Sequence, residues 1–286
     1  MITDKIIYFN RFYKQFNLIS IVLILISLAL LTFKGLNYGV DFKGGTLIEL
    51  RVNDTQTNIS NLRKSFLNMN LGDVTVKKFG NENDYLIKFE KKNNDNNFIS
   101  EIKKKLSMSI GPNFDFRRVE NVGPKVSSEL LISGIIAIVL SLATMLIYIW
   151  IRFEWQFSLG AIVALFHDVI ITLGVFSFFN LEINLSIVAA VLTIVGYSMN
   201  DTVVIYDRIR ENLSKYSSST IDDISNTSIN ETLSRTIITS VTTLLALGSI
   251  FVLGGEILKG FSLAMIIGVI IGTYSSIFVA SPILKY

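Results

Sequence analysis

The chain of 286 residues has no cysteine and one histidine, and only 17% of it is charged. Without cysteine no disulfide can staple a water-exposed domain, which must be held by its own core and by any membrane helices beside it. The lone histidine has no matched nucleophile or metal set, so no enzyme, metal site or organic cofactor is expected. So little charge, set against 50% hydrophobic residues and a mean hydropathy of +0.52, is too apolar for a water-soluble domain of this size. Membrane class follows. The formal charge of +3 reflects basic residues flanking membrane segments and gives no nucleic-acid role.

Stretches nearly free of charge run over 15–33, 130–151, 155–181, 183–206, 236–255 and 260–284. Each can cross a bilayer core, which takes roughly 20 helical residues. A charged stretch, about residues 34–124, separates the first two and cannot lie in lipid. The expected organisation is residues 1–33 as terminus and first span, 34–124 as an outer α+β domain, and 125–286 as a five-helix bundle. Lys5, Arg11 and Lys14 precede the first apolar core, but no small-residue cleavage pattern follows it, which predicts an uncleaved anchor. Basic residues of the short segments gather at the N-terminus, Arg152, Arg208, Arg210, Lys215 and Lys285, against Lys259 alone on the other side. That bias places both termini in the cytoplasm.

In the outer stretch, 46–52 reads as a strand, and Ile59, Leu62, Phe66 and Met69 follow at helical spacing. Alternation over 74–77 and 85–89, joined by a turn at 80–84, predicts a hairpin. Phe98, Ile102, Leu106 and Ile110 mark a second helix, and Phe114, Phe116 and Val119 the last strand. The order βαββαβ is that of the ferredoxin-like split motif. Gly44 and Gly45 lack the Gly-Lys-Ser/Thr ending of a phosphate loop and run into a strand, so they predict a tight turn rather than a nucleotide site.

Within the apolar runs, Asp201 stands out, because an intramembrane charge is a functional candidate by default. Its candidate partner is Arg235, at the head of the next run. Seven residues before Arg208, Asp201 lies about 10 Å from that boundary at about 1.5 Å per residue, and Arg235 sits about one and a half turns into its helix if that helix begins near Asn230. Burial and a nearby cation act on a carboxylate's proton affinity in opposite senses, so moving the arginine would switch it. A static ion pair that fixes helix register is the competing reading. His167 and Asp168, nearer mid-membrane, are further relay candidates, as is Asn200; a hydrogen-bonded packing role is the alternative for His167. Asp207 is expected to pair locally at the membrane boundary. Polar faces on the fourth span (Thr193, Gly196, Tyr197, Asn200, Asp201) and fifth span (Arg235, Thr239, Thr242, Ala246) predict positions inside a bundle. Ala264, Gly268, Gly272 and Ser276, continued by Ala280, form a small-residue stripe on the last span that lets a neighbouring helix approach closely.

Taken together, Gly39-Val40-Asp41-Phe42-Lys43-Gly44-Gly45-Thr46, Gly123-Pro124, Asn200-Asp201-Thr202-Val203-Val204, Arg208-Ile209-Arg210-Glu211-Asn212, Ser234-Arg235-Thr236 and the closing Glu256–Ser262 segment resemble the SecF family of the bacterial Sec protein-export machinery. The similarity spans nearly the whole chain. It implies a resistance-nodulation-division type fold in the inner membrane, with residues 34–124 periplasmic. Implied partners are SecD, which supplies six pseudo-symmetric spans, the SecYEG channel, a translocating preprotein and membrane lipids. The implied activity uses the proton motive force, with H⁺ or alternatively Na⁺ as coupling ion, and the family's membrane aspartate and arginine fall on Asp201 and Arg235. A scaffold that only stabilises SecD and the channel, and a related exporter of lipid or drug, are the rival readings.

Overall fold

The structure is a computed structural model and describes residues 6–53, 58–72, 74–78, 83–90, 96–216 and 219–285. Most of the turn expected at 80–84 therefore lies outside the described residues. The chain divides into two compact units, Tyr38–Ile135, and Met1–Asn37 with Ile136–Tyr286.

In the first unit the elements run β1 (Gly45–Val52), α1 (Ile59–Leu67), β2 (Val74–Lys78), β3 (Asp84–Phe89), α2 (Asn96–Ile110) and β4 (Phe114–Val122). The strands form one antiparallel sheet in the order β2-β3-β1-β4. Strand period two sends Ile48, Leu50 and Val52 to one face, where Leu62 and Phe66 of α1 and Phe98, Ile102 and Leu106 of α2 cover them. The Asn58 side chain caps α1 by accepting the Ser60 N–H at 3.3 Å. A bulge between Glu49 and Leu50 shifts the register of β1 against β4. Where β1 meets β3, Arg51 stands opposite Asp84 and donates to both its carboxylate oxygens at 2.6 Å, which raises the guanidinium's own pKa. Burial pushes the neighbouring Tyr85 phenol above its usual value.

A single helical turn, Val40–Lys43, precedes the two glycines. Gly44 has φ 74° and Gly45 φ 138°, and a Cβ on Gly45 would lie 2.5 Å from the Phe89 carbonyl oxygen. Both positions thus demand glycine, for conformation at each and for space at the second.

The second unit carries the membrane helices, save residues 124–135 at the start of the second span, which fall in the first unit. Six helices among the described residues are long and apolar enough to cross a membrane: Tyr13–Phe33, Pro124–Arg152, Trp155–Phe178, Leu185–Lys215, Ile221–Leu253, and Gly255–Ser275, which continues through a π-helical turn, Ser276–Ala280, to Ile283. They are called the first to sixth spans. The third, fourth and sixth are the most enclosed, around Leu165, Val169, Val195, Met199, Ile205 and Ile277. The first span buries only Ser20 and Ser27, two turns apart, and a Cβ on Gly174 of the third span would collide with Ser27. The π turn ends just before Pro282, which has no N–H to offer the carbonyl four residues back; proline is a common cause of such local widening.

The fifth helix starts at Ile221, fifteen residues before its apolar run, because Thr220 caps it by accepting the Asp223 N–H at 3.3 Å and acids fill its first turn. Arg235 therefore lies about four turns in, not one and a half. Asp207 reaches across to Arg152 of the second span at 3.0 Å rather than pairing locally. Its neighbour Arg208 is the residue that pairs along its own helix, with Glu211, as well as with Glu231 of the fifth span at 2.6 Å.

Candidate functional site

Among the described residues, two carboxylates are buried within the membrane helices. Asp168, on the third span, is fully buried. Its Oδ1 faces His167 Nδ1 at 2.8 Å, and its Oδ2 accepts hydrogen bonds from Ser198 Oγ of the fourth span at 2.6 Å and Ser275 Oγ of the sixth at 2.8 Å. One aspartate thus ties three helices together. A turn further along, Thr202 and Ser276 join the fourth and sixth spans through their hydroxyls at 3.0 Å. The His167 ring stacks on Tyr274, 5.9 Å between centroids, and Tyr274 donates to the Phe16 carbonyl at 2.7 Å while Ser20 meets it at 2.8 Å. His167 Nε2 is buried and has no hydrogen-bond partner.

Asp201 lies on the fourth span, 3% exposed, and its Oδ2 is likewise buried without a partner. The Thr273 hydroxyl of the sixth span interacts with its carboxylate, and the Arg235 guanidinium acts on it through space. Thr273 also meets Ser240 of the fifth span at 2.7 Å. No ion pair joins Asp201 to Arg235 among the described residues, and Arg235 is exposed on the surface of this chain. The static pair considered from the sequence is not what the structure contains.

The small-residue stripe of the sixth span lies against the fourth. Ala264 is fully buried, a Cβ on Gly268 would collide with Ile194, and one on Gly272 would lie 3.0 Å from Ser198 Cβ. Ser276 closes the stripe through its bond to Thr202. The polar faces of the fourth and fifth spans sit differently from their expectation. Asp201 is inside, but Thr193, Gly196, Asn200, Arg235, Thr242 and Ala246 are exposed on this chain. Their spacing is helical, yet no helix of this chain covers them, so spacing alone could not tell an internal face from an outward one.

The serines escaped sequence reasoning. Ser198 is three residues before Asp201 and Ser275 sits beside the stripe residue Ser276, so the signal was proximity to candidates already chosen. The hold on the N-terminal segment was also missed: Asn230 accepts the Ile7 N–H at 2.9 Å and donates to the Ile7 carbonyl at 2.8 Å, and Asn226 accepts the Phe9 N–H at 2.8 Å.

The fold and these buried charges define a polytopic helical membrane protein with ionisable groups inside its bundle. Residues 102–286 match the family model for the protein export membrane protein SecD/SecF, C-terminal, and residues 29–56 match that for the SecD/SecF GG motif. The chain belongs to the SecD/SecF family of protein export membrane proteins. It is 48% identical to the protein translocase subunit SecF of Rickettsia bellii over 96% of this chain and 91% of that one, and 45% identical to that of Rickettsia rickettsii over 96% and 90%. The crystal structure of SecDF from Thermus thermophilus, a translocon-associated membrane protein, superposes with a TM-score of 0.85 at 32% identity. That match covers 99% of this chain and 39% of the SecDF chain.

Proposed function

We propose that this chain is a SecF-type subunit that assists protein export across the inner membrane, driven by the proton motive force through Asp201. The observation that carries this reading is the Asp201 carboxylate itself, enclosed by the fourth, fifth and sixth spans, with one oxygen unpartnered and a cation acting on it from the surface. A buried carboxylate in that setting exchanges a proton only if helices or water shift to reach it, which links protonation to motion. One charge falling through 100 mV releases about 2.3 kcal/mol, enough to bias a pair of helix arrangements.

In this proposal SecD supplies the helices that cover Asn200, Arg235 and their exposed neighbours, and the SecYEG channel and preprotein lie beside the complex. The exposed polar faces support such a partner, since a charged side chain turned to lipid is costly. Residues 34–124 form a ferredoxin-like periplasmic domain that receives the motion, a reading supported by the βαββαβ order and the β2-β3-β1-β4 sheet. Both termini are cytoplasmic, the coupling ion is H⁺, and neither covalent chemistry nor an organic cofactor takes part.

Export by inverted membrane vesicles, with and without a collapsed proton gradient, tests this. Asp201→Asn is expected to assemble normally and to lose the gradient-dependent part of export. Full gradient-dependent export in that variant would overturn the proposal.

A further inference from the structure

The second buried acid has a construction that the Asp201 relay does not use. With Asp168 ionised, its carboxylate can only accept hydrogen bonds, so the hydrogen in its 2.8 Å contact with His167 is on Nδ1. Nε2 is then a bare lone pair, and it sits in a wholly buried side chain with no partner. An acceptor left this way in a dry interior is unfavourable. Deprotonated, the pair carries a net charge of −1 in the bundle; with a proton on Nε2 the ring becomes imidazolium and the pair is neutral overall.

We infer that His167 and Asp168 form a second proton-binding site of the bundle, with Nε2 of His167 as the atom that takes the proton. Asp168 passes the consequence on. Its Oδ2 holds Ser198, three residues from Asp201, and Ser275, two residues from Thr273, which itself interacts with Asp201. A change of charge at the pair is therefore felt by both helices that carry the groups around Asp201. Ser275 also stands at the start of the π-helical turn, a form of backbone that often accompanies functional sites.

The other titratable groups around the pair are few. His167 and Asp168 are the only ones in the third span. The sixth presents Tyr274, already bonded to the first span, and otherwise carries charge only near its ends, as Glu256, Lys259 and Lys285. The first span has Tyr13 and Lys14 at its start, and the fourth has Tyr197, Asp201 and Tyr206 before the charged cluster that begins at Asp207. A protonated ring would present an N–H where only a lone pair now sits, so uptake requires a water or a small helix shift beside Tyr274.

This inference rests on the proton-driven reading only for its role in export; proton binding itself is measured separately. Because His167 is the only histidine, labelling the full chain with ¹⁵N-histidine in lipid bilayers gives the NMR signals of this ring alone. The expected result is a single neutral tautomer with hydrogen on Nδ1, converting to imidazolium on acidification. Asp168→Asn should mix the two tautomers and move the conversion along the pH axis. Should Asp168→Asn fail to fold, the double variant Ser198→Ala, Ser275→Ala keeps the carboxylate, removes both its hydroxyl donors and should also move the conversion. A ring that stays neutral at every pH at which the chain remains folded would overturn the inference, as would a conversion unchanged in the foldable variants. Asp201→Asn separates the two readings: persistence of the His167 conversion together with unimpaired export would remove Asp201 as the driver and leave the second site standing.

Discussion

Gly268→Ala asks the bundle to accept one methyl group where the sixth span meets the fourth. The added Cβ would lie 2.9 Å from Ile194 Cγ2 and closer still to its Cγ1 and Cδ1. Carbon atoms pack best at about 3.5–4.0 Å, so Ile194 must retreat by roughly 1 Å. It cannot do so freely, because it is 1% exposed and, being β-branched, is held to one preferred rotamer in a helix. Overpacking of this kind costs about 1–3 kcal/mol, a shift of roughly five- to 150-fold in the folded-to-unfolded ratio. Ile194→Ala removes all three clashing atoms, so the double variant Gly268→Ala, Ile194→Ala should be more stable than the two single losses predict, by about the clash energy. Gly196→Ala, on a fourth-span position with nothing within 4 Å of the new methyl, is the control and should be near neutral. Thermal unfolding of the purified chain in one detergent measures all four variants. If Gly268→Ala unfolds at the temperature of Gly196→Ala, or if the cycle shows no coupling, the close approach of these helices is not as described.

Asn226→Ala should release the N-terminal segment, since it leaves the buried Phe9 N–H without its acceptor at a cost of about 1–3 kcal/mol; faster hydrogen exchange at Phe9, with the third span unchanged, is the check. Glu231→Ala removes the acceptor shared by Arg208 and Asn212 and should loosen the join between the fourth and fifth helices, read as increased proteolysis between residues 216 and 220. Burial holds the Tyr85 phenol above its usual value near 10, so the folded state keeps that proton where the unfolded state releases it. Its contribution is complete below about pH 10 and is lost as pH rises toward the folded value. Tyr85→Phe should therefore flatten the alkaline fall in thermal stability between pH 9 and 11, and an equal fall in both proteins would refute it.

What the sequence made legible was whatever depends on period. Ile48, Leu50 and Val52 alternate, Phe98, Ile102 and Leu106 recur every four residues, and the corresponding strand and helix are where those patterns put them. The buried acids were legible too, because charge in an apolar run is conspicuous. Direction around a helix was not. Asp201 and Asn200 are neighbours in sequence, yet one is buried and the other exposed, a difference set by which helices pack beside them. Helix length was underestimated wherever a capped polar turn continued an apolar run, as at Thr220. Serines carry too little pattern to announce a role: Ser198 and Ser275 matter because a carboxylate from a third helix arrives between them.

The sixth span divides at its middle into two kinds of contact. Along the stripe of Ala264, Gly268 and Gly272 its side chains are no larger than a methyl; at Gly268 one more carbon would collide with Ile194, and at Gly272 it would lie 3.0 Å from Ser198 Cβ. Dense packing of that sort resists sliding, since every atom has its neighbours in place. From Thr273 to Ser281, beside the apolar contacts of Ile277 and Val279, hydroxyls make polar contacts: Thr273 to Ser240, Ser275 to Asp168, Ser276 to Thr202, and Ser281 to the Ser276 carbonyl across the π turn at 2.8 Å. Hydroxyls can exchange partners by rotating about one bond, and a π turn already departs from regular helix geometry. If Asp168 or Asp201 changes charge in the proposed relay, the change falls beside the half of the helix whose hydroxyls can rearrange, while the close contact at Gly268 is expected to hold its distance. Gly268→Ala and Ser275→Ala should accordingly differ in kind: the first lowers stability through the close contact with Ile194, and the second leaves packing nearly intact while altering how the bundle responds to protonation.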